Sequence, residues 1–261
     1  MLKFKKNHPI IIGFSGKAGS GKTSVAEKIV PKGAIEASIY GMKWDHIFYA
    51  LPLYEMVTIK RSIKGISQDS RQLFALHSVL FDLYGGSPIG RMPEYHDFYN
   101  RVKTIQELYI ESEGIKPRSF LQNAGDICKE DFPNCFSDWA ISKANNLYRL
   151  YLKTLEEDDD EDVPYAVIIS DVRYLNEAKK ILEQPNGIIV SFDASEETLN
   201  NRLIKRDGKV MDKNLSIHSS EQEIDLIKEI STYIIDTDNM SVEDQVSATI
   251  DLLKKEKVFY A

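Results

Sequence analysis

The chain has 261 residues, of which 43% are hydrophobic, and its 33 basic and 40 acidic side chains give a net charge of −7. This size suits one α/β domain with an insertion, or two modest domains, and allows a sizeable core, while the acidic balance argues against direct nucleic-acid binding. No apolar run approaches the roughly 18 residues of a membrane span, and the N-terminal sequence is not that of a signal peptide, so no membrane partner is expected.

The first recognisable pattern is an apolar run followed by a glycine-rich loop and a helix. Ile10 to Ile12 predict a buried strand, and residues 23–30 have helical spacing that stops at Pro31. Between them lies Gly-x-x-x-x-Gly-Lys-Thr, typical of the phosphate-binding loop of nucleoside-triphosphate enzymes. The candidate ligand-binding positions of this loop are Gly16, Lys17, Ala18, Gly19, Ser20, Gly21, Lys22, Thr23 and Ser24.

The fixed positions of this loop have physical reasons. Glycine permits positive φ and lets the backbone N–H groups approach an anion, to which the following helix adds the positive end of its dipole. Lys22 can reach the β- and γ-phosphates of a triphosphate, and the Thr23 hydroxyl can ligate magnesium. The alternative is a glycine-rich turn with no ligand, which the flanking strand and helix disfavour.

The middle of the chain is harder to interpret. A short strand is expected near 34–39, and a mostly helical insert is expected from about 40 to 162. The acidic run at 156–162 predicts a solvated loop rather than a metal site, because seven adjacent like charges repel one another and stay hydrated. Cys128 and Cys135 match no zinc spacing, and we expect them to be reduced thiols of a cytoplasmic protein.

The insert is where a second substrate is expected to bind. Arg118, Gln122 and Asp126 recur at helical spacing, so one helix face could contact both a phosphate and the edge of a base. Aromatic residues of this segment could stack on a base, although such side chains more often belong to the core. These aromatic residues are Phe120, Phe132 and Trp139.

Alternating strands and helices return after the acidic run. The predicted elements are strand 165–170, helix 176–183, strand 187–192, helix 195–206, strand 233–236 and a C-terminal helix from 241. Ser195 is expected to cap its helix, and Ser241 with Asp244 to form a capping box in which Asp replaces the usual Glu. This alternation predicts a three-layer α/β fold with a five-stranded parallel sheet flanked by helices, its core formed by 1–39 and 163–261.

The strand at 165–170 ends in residues with candidate chemistry. Ligands of parallel sheets bind at the carboxyl ends of strands, which places Asp171 and the phosphate loop on one edge. Asp171 would hold magnesium beside Thr23 and face the substrate; its alternative role is to cap the following turn. Arg173 could meet a phosphate with its planar guanidinium, or form a surface ion pair.

Two further arginines precede a predicted mobile loop. Arg202 and Arg206 lie four positions apart on the same face of a predicted helix, at the start of a lid expected over about 202–218. Catalysis of phosphoryl transfer is mostly positioning and cationic stabilisation, so we expect Lys22, Arg173, Arg202 and Arg206 to be catalytic. The alternative is a pair of exposed arginines on an ordinary amphipathic helix.

At four places the sequence resembles the phage-type deoxynucleoside monophosphate kinases of the P-loop kinase superfamily. The resemblance covers the N-terminal fifth, part of the middle and most of the C-terminal third of the chain. Two features depart from the family pattern: Lys129 stands where an Arg is expected, and the acidic run looks like an addition. The matching stretches are FSGKAGSGKTSVAEKI at 14–29, RSFLQNAGD at 118–126, IISDVRYLNEAKKI at 168–181 and HSSEQEID at 218–225.

The resemblance implies a P-loop kinase fold with a helical acceptor-binding insert and a lid. It implies transfer of the γ-phosphoryl group of ATP to a deoxynucleoside 5′-monophosphate, with Mg²⁺ as cofactor. By position, Lys22 and Thr23 would serve ATP and magnesium, and Arg118 and Gln122 would fall in the acceptor region. Asp171 and Arg173 occupy the strand-end motif, and Arg202 and Arg206 lie near the lid.

Other functions stay open from the sequence. A different small-molecule kinase on the same scaffold is the nearest alternative, and a nucleotide-dependent switch that hydrolyses slowly is another. A regulatory module that binds nucleotide without catalysis would keep the loop but would not need Arg202 or Arg206. Which base is accepted and whether ribonucleotides are excluded stay open at this point. A homodimer stays open as well.

Overall fold

The computed structural model describes residues 7–30, 37–39, 42–55, 118–158, 164–207 and 223–255, with isolated positions at 79, 100, 101 and 104. The chain divides into two compact units. The first unit comprises Met1–Phe48 and Lys143–Ala261, and the second comprises Tyr49–Ser142.

The first unit contains one mixed sheet. Its strands are β1 Ile10–Ser15, β2 Ala37–Ile39, β3 Met42–Ile47, β4 Tyr165–Val172, β5 Gly187–Asp193 and β6 Tyr233–Asp236, in the order β2-β3-β4-β1-β5-β6. The five neighbouring strands β3, β4, β1, β5 and β6 are parallel, and β2 pairs antiparallel with β3 at one edge of the sheet. The predicted five-stranded parallel sheet flanked by helices is therefore present, but the strand predicted near 34–39 is the antiparallel edge strand β2, and the fifth parallel strand is β3.

Helices cover both faces of the sheet. The described helices are α1 Lys22–Ile29, α2 Arg118–Asp131, α3 Cys135–Asp158, α4 Leu175–Leu182, α5 Glu196–Asp207, α6 Ile224–Ile230 and α7 Val242–Lys255. On one face, α1 and α7 pack with alternate residues of β1, and the shared core includes Phe14, Ile29 and Leu253. On the other face, the Ile181 side chain of α4 lies against Gly13, and α6 packs nearby on β1 and β5.

The apolar runs on both sides of the middle segment fold as predicted. β1, β4, β5 and β6 cover the predicted strands, and α1, α4, α5 and α7 cover the predicted helices. The two predicted caps are confirmed as well. Ser195 Oγ accepts a hydrogen bond from Thr198 N–H at 3.3 Å, and Ser241 and Asp244 exchange hydrogen bonds between side chain and backbone at 3.0 and 3.1 Å.

The prediction was wrong for the residues that form β3. The helical insert was expected to begin at about 40, but Met42–Ile47 is a strand that pairs in parallel with β4. Met42 and Trp44 are fully buried, while the polar residues Lys43, Asp45 and His46 of the same strand are half-buried. Such a half-polar strand lacks the continuous apolar run that marked its neighbours, so its partner strand decides its conformation.

Two other differences concern helices. The loop predicted at 156–162 begins later, because α3 continues to Asp158; residues 159–163 lie outside the described part of the chain. Helix α6, Ile224–Ile230, had no predicted counterpart. The helical segment predicted over 40–162 thus contributes to both units, whose boundaries lie at 48/49 and 142/143.

Candidate functional site

The glycine-rich loop folds as a tight connection between the carboxyl end of β1 and the start of α1. Gly16, Gly19 and Gly21 have φ angles of 145°, 88° and 97°, which side chains rarely permit. Gly21 is the N-cap of α1, and a Cβ there would lie 2.2 Å from Gln245 Oε1. Because Gly21 brings no capping side chain, no such group competes with an external acceptor for the first-turn N–H groups.

The Lys22 side chain folds back over this loop. Its Nζ donates to Gly16 O at 2.6 Å and to Lys17 O at 3.3 Å, and the residue is only 5% exposed. Burying an ammonium group is unfavourable unless polar or charged partners compensate. The loop therefore holds a positive charge among its own carbonyl groups, an arrangement that suits an incoming anion.

The remaining loop residues differ in exposure. Lys17 and Ala18 are half-buried, and Lys17 Nζ forms an ion pair with Asp225 Oδ1 of α6 at 3.3 Å. Thr23 and Ser24 are exposed on the first turn of α1. Their hydroxyl groups are accessible to a ligand at this helix end.

The acidic residue predicted at the strand end lies on the strand next to β1. β1 and β4 are parallel, but their register shifts between Gly13 and Ser15, so that Ser170 and Asp171 lie opposite a single residue of β1. Such bulges redirect side chains and are common beside active sites. The bulge therefore falls at the residue that sequence reasoning assigned to magnesium.

Thr23 and Asp171 offer the oxygen donors that suit Mg²⁺. Thr23 lies on the first turn of α1, the helix that follows β1, and Asp171 lies near the carboxyl end of β4, the strand next to β1. The Asp171 side chain is half-buried. Over the described ranges, no group of three or more His, Cys, Asp or Glu side chains could hold a metal. A hydroxyl and a carboxylate fit magnesium well, because this ion usually binds few protein ligands and keeps water and phosphate oxygens.

Two glutamates that sequence reasoning missed fix the backbone after β4. Glu177 is 7% exposed, and its Oε2 accepts hydrogen bonds from the N–H groups of Arg173 and Tyr174 at 2.9 and 3.1 Å. Glu223 Oε2 accepts from Leu175 N–H at 2.6 Å. These carboxylates occupy the N-terminus of α4 and hold the main chain that carries half-buried Arg173. A glutamate in the first helical turn was the available signal for Glu177.

A histidine that was not predicted lies beside the bulge. His46 Nε2 and Ser170 Oγ are 2.7 Å apart, and Ser170 is 2% exposed and directly precedes Asp171. The parallel pairing of β3 with β4 brings these two residues together. No local signal could have found this pair, because the partners are 124 positions apart.

Three buried polar atoms at the loop have no hydrogen-bond partner within the described part of the structure. They are Ser15 Oγ, Ser20 Oγ and Gln245 Oε1, and each residue is at most 1% exposed. Ser15 precedes the loop, Ser20 belongs to it, and Gln245 packs on Gly21. Unpaired buried polar groups are rare in native proteins, so their grouping here fits a loop that binds a polar ligand.

Helix α5 packs directly on the loop at Gly19. A Cβ on Gly19 would lie 3.0 Å from Leu199 O and 3.3 Å from Leu203 Cγ, and both leucines are buried. Arg202 lies on the same helix face, and its guanidinium donates to Gly19 O at 3.4 Å and to the turn after β6. Arg202 therefore contacts the protein's own carbonyl groups.

The other predicted lid residues are described only in part. Arg206 is exposed near the end of α5. Residues 208–218 of the predicted lid lie outside the described part of the chain. The catalytic roles expected of Arg202 and Arg206 stay predictions.

The predicted acceptor residues belong to the second unit. Helix α2 begins at Arg118 and includes Gln122 and Asp126, as their spacing indicated. Gln122 is half-buried, and Asp126 is exposed with its Oδ1 3.6 Å from Lys129 Nζ. The side chain of Arg118 lies outside the described residues. The acceptor role of this helix stays a prediction.

The cysteines and aromatic residues of this unit have clear environments. Cys128 and Cys135 are buried and form no disulfide. Burial, followed by the neighbouring Cys128, raises the pKa of the Cys135 thiol far above its ordinary value, so this thiol stays protonated and a poor nucleophile. Phe132 is 37% exposed and Trp139 is half-buried, while the Phe120 side chain lies outside the described residues.

Fold and site together define an α/β protein whose parallel sheet presents a glycine-rich, lysine-containing loop at its carboxyl edge. No helix of the described segments is long and apolar enough to cross a membrane. No protein-family model and no curated protein matches the chain. Among solved structures it is similar to TT1252 from Thermus thermophilus, with a TM-score of 0.40, 16% sequence identity, and coverage of 95% of this chain and 99% of that one.

Proposed function

We propose that this chain is a kinase that transfers the γ-phosphoryl group of ATP to a deoxynucleoside 5′-monophosphate. The observation that carries the proposal is the loop at 16–23, in which three glycines have positive φ and the Lys22 ammonium is buried. The four-part resemblance to phage-type deoxynucleoside monophosphate kinases supports the acceptor class. A cytoplasmic location, in the host cell if the chain is phage-encoded, belongs to the same proposal.

The loop would bind the triphosphate through its backbone and Lys22. The first-turn N–H groups of α1 carry the positive end of the helix dipole and would donate to phosphate oxygens. Lys22 would exchange its contacts with Gly16 O and Lys17 O for contacts with the β- and γ-phosphates. Its charge would then stabilise the negative charge that spreads over the transferring group.

Magnesium would be held by the Thr23 hydroxyl and the Asp171 carboxylate, where it would neutralise charge on the β- and γ-phosphates. The chain's own residues keep Asp171 in place through the β4 bulge and the carboxylate contacts of Glu177 behind it. Arg173 follows on the same segment, and Arg206 extends from α5. These two arginines would add cationic stabilisation at the transferring phosphoryl group.

The acceptor would be bound by α2 of the second unit. Arg118 would pair with the monophosphate, Gln122 with the base edge, and Asp126 with a donor of the base or sugar. A phosphate oxygen of the acceptor attacks the γ-phosphorus, and the bond to the bridging oxygen of the β-phosphate breaks. The products are the deoxynucleoside diphosphate and ADP.

A panel of acceptors tests this proposal. ADP formation from MgATP is measured with each common deoxynucleoside monophosphate and with its ribose counterpart. We expect at least one deoxynucleotide to raise turnover about tenfold or more above the hydrolytic background, because acceptor binding supplies an oriented nucleophile. The diphosphate product is identified by chromatography.

The outcomes of the panel separate the alternatives. A flat response to every monophosphate, with slow steady hydrolysis, would contradict the kinase proposal and favour a nucleotide-dependent switch. Binding of MgATP with no turnover at all would favour a regulatory module. Equal stimulation by ribose and deoxyribose acceptors would uphold the kinase but overturn its deoxynucleotide preference.

A further inference from the structure

We propose that Arg202 is a positioning residue that braces the phosphate loop, rather than a group that contacts the transferring phosphate. The brace joins three segments of the first unit: α5, the loop at Gly19 and the turn 237–240 between β6 and α7. Its consequence for catalysis rests on the function proposed above, whereas its effect on the ligand-free loop does not.

The guanidinium of Arg202 is held by four hydrogen bonds. Nη1 donates to Gly19 O at 3.4 Å and to Thr237 Oγ1 at 3.2 Å. Nη2 donates to Thr237 O at 2.5 Å and to Met240 O at 3.2 Å. Each Nη carries two N–H donors, so these bonds occupy all four of them. Arg202 would have to give up part of this network before either Nη group could bind a phosphate.

The partners of Arg202 are themselves well fixed. Thr237 is fully buried, and its Oγ1 is 2.8 Å from Asp193 O at the end of β5 and 3.4 Å from Ser20 O in the loop. Met240 N–H donates to Thr237 O at 3.2 Å, which closes the turn, and Asn239 adopts φ 58° within it. The brace therefore connects the loop to the ends of two strands.

Packing of α5 on the loop explains why an arginine is needed at this position. Leu199 and Leu203 are buried on the helix face that covers Gly19, and Arg202 lies between them on that face. Carbonyl groups that α5 shields from water need donors, and one planar guanidinium can supply several. A lysine has a single ammonium and cannot reproduce this fork.

The spacing of the two arginines separates their roles. Arg206 lies one helical turn, roughly 6 Å, beyond Arg202 and is exposed. Arg202 thus fixes α5 against the loop.

Hydrogen exchange of the ligand-free protein tests the brace without any assumption about catalysis. We expect Arg202→Ala to accelerate amide exchange about tenfold in peptides that cover residues 14–23 and 233–241, because charge-assisted hydrogen bonds that restrain both segments are lost. Arg149→Ala, an exposed arginine of α3 in the same unit, is the matched control and should leave both peptides unchanged. If Arg202→Ala fails to fold, the same comparison is made with Arg202→Lys.

Kinetics distinguish a positioning role from a catalytic one. Arg202→Ala should weaken MgATP binding about tenfold with a smaller loss in kcat, because a loosened loop binds both ground and transition state less well. Arg206→Ala should lose more in kcat than in KM. Arg202→Lys, which restores charge but not the fork, should recover little of the binding.

Each result decides the inference. Faster exchange at both segments upholds the brace, even if no acceptor is ever found and the kinase proposal fails. Unchanged exchange at both segments overturns the brace. If kcat then falls in Arg202→Ala, Arg202 acts as a clamp on the phosphate; if activity stays normal, Arg202 has neither role. Full rescue by Arg202→Lys would also overturn it, since charge alone would then suffice.

Discussion

Lys22 shows how a single residue connects the folded loop with its proposed chemistry. Its ammonium lies inside the loop at 2.6 Å from Gly16 O, and the residue is only 5% exposed. The contact gives the loop a defined shape before any ligand arrives. In the proposed reaction Lys22 exchanges this contact for the β- and γ-phosphates when ATP binds, so its charge is already in place when the phosphoryl group is transferred, which is the basis of electrostatic catalysis.

Replacing Lys22 should therefore abolish most of the activity. We expect Lys22→Ala to lower kcat by a factor of about 10² to 10³, the usual effect of removing one group that stabilises transition-state charge. The measurement is acceptor-dependent ADP formation at saturating MgATP.

Lys28 provides the matched control for this variant. It lies on the same helix, is exposed, and forms a surface ion pair with Glu243 at 3.0 Å. Lys28→Ala should keep near-normal kcat, because exposed ion pairs contribute little. Normal turnover in Lys22→Ala would contradict the assignment of the loop as the catalytic one.

At the scale of elements, the helix ends near the loop depend on ionised carboxylates. Hydrogen bonds from the Ser241 hydroxyl and backbone hold the pKa of Asp244 below its usual value. Those from Thr198 and Ser195 lower the pKa of Asp238, with a smaller contribution from Arg202. A carboxyl group whose pKa is lower in the folded state stabilises the fold above its unfolded pKa, and this stabilisation is lost as the pH falls through the folded value.

The capping box of α7 should thus be sensitive to acid. Asp244→Asn should lower the midpoint of thermal unfolding at pH 7, because the ionised acceptor for the Ser241 groups is lost. The difference from the wild type should shrink as the pH falls below the unfolded-state pKa of an aspartate, about 3.9, and through the lower folded-state pKa of Asp244, because protonation removes the ionised acceptor. Circular dichroism melts at several pH values measure both effects.

Asp251→Asn is the control, since Asp251 is exposed on the same helix and outside its first turn. It should change the melting midpoint little at either pH. A deficit of Asp244→Asn that stays constant from pH 7 to pH 3 would show that its carboxylate charge is not what the cap uses.

At the scale of the whole molecule, the order of the sheet determines which residues can meet. β1 is central and lies between β4 and β5, so the loop after β1 is flanked by Asp171 on one side and by the end of β5 on the other. Arg202, Thr237 and Gln245 come from later parts of the chain and close around the loop. Ligand binding at the loop should therefore stabilise a large part of the first unit.

MgATP should raise the thermal unfolding midpoint. At a concentration of 100 times Kd, binding to the native state alone contributes about 2.7 kcal/mol. For a unit of this size that corresponds to a shift of about 5–11 °C. Differential scanning fluorimetry with increasing MgATP measures it.

Two comparisons make this shift specific to the loop. Adenosine, which lacks phosphates, should produce almost no shift in the wild type. Lys22→Ala should lose most of the MgATP shift while Lys28→Ala keeps it. An equal MgATP shift in the wild type, Lys22→Ala and Lys28→Ala would mean that the nucleotide binds away from the glycine-rich loop.

Local sequence determined much of this protein. The apolar runs of β1, β4 and β5 predicted their strands because strands buried on both faces need continuous apolar residues. The glycine spacing predicted the loop, and Ser195 and Ser241 predicted helix starts, because caps act over three or four residues. Each of these signals is complete within a short stretch of chain.

Tertiary structure decided what those signals do not contain. β3 is a strand because β4 lies beside it, and the pair His46–Ser170 exists because these strands are neighbours. The contacts of Arg202 with Gly19 and with the turn after β6 join segments as far as 183 positions apart. Spacing placed Arg202 on the right helix face, but only packing of that helix on the loop determined which groups its guanidinium binds, because hydrogen-bond partners depend on distance in space.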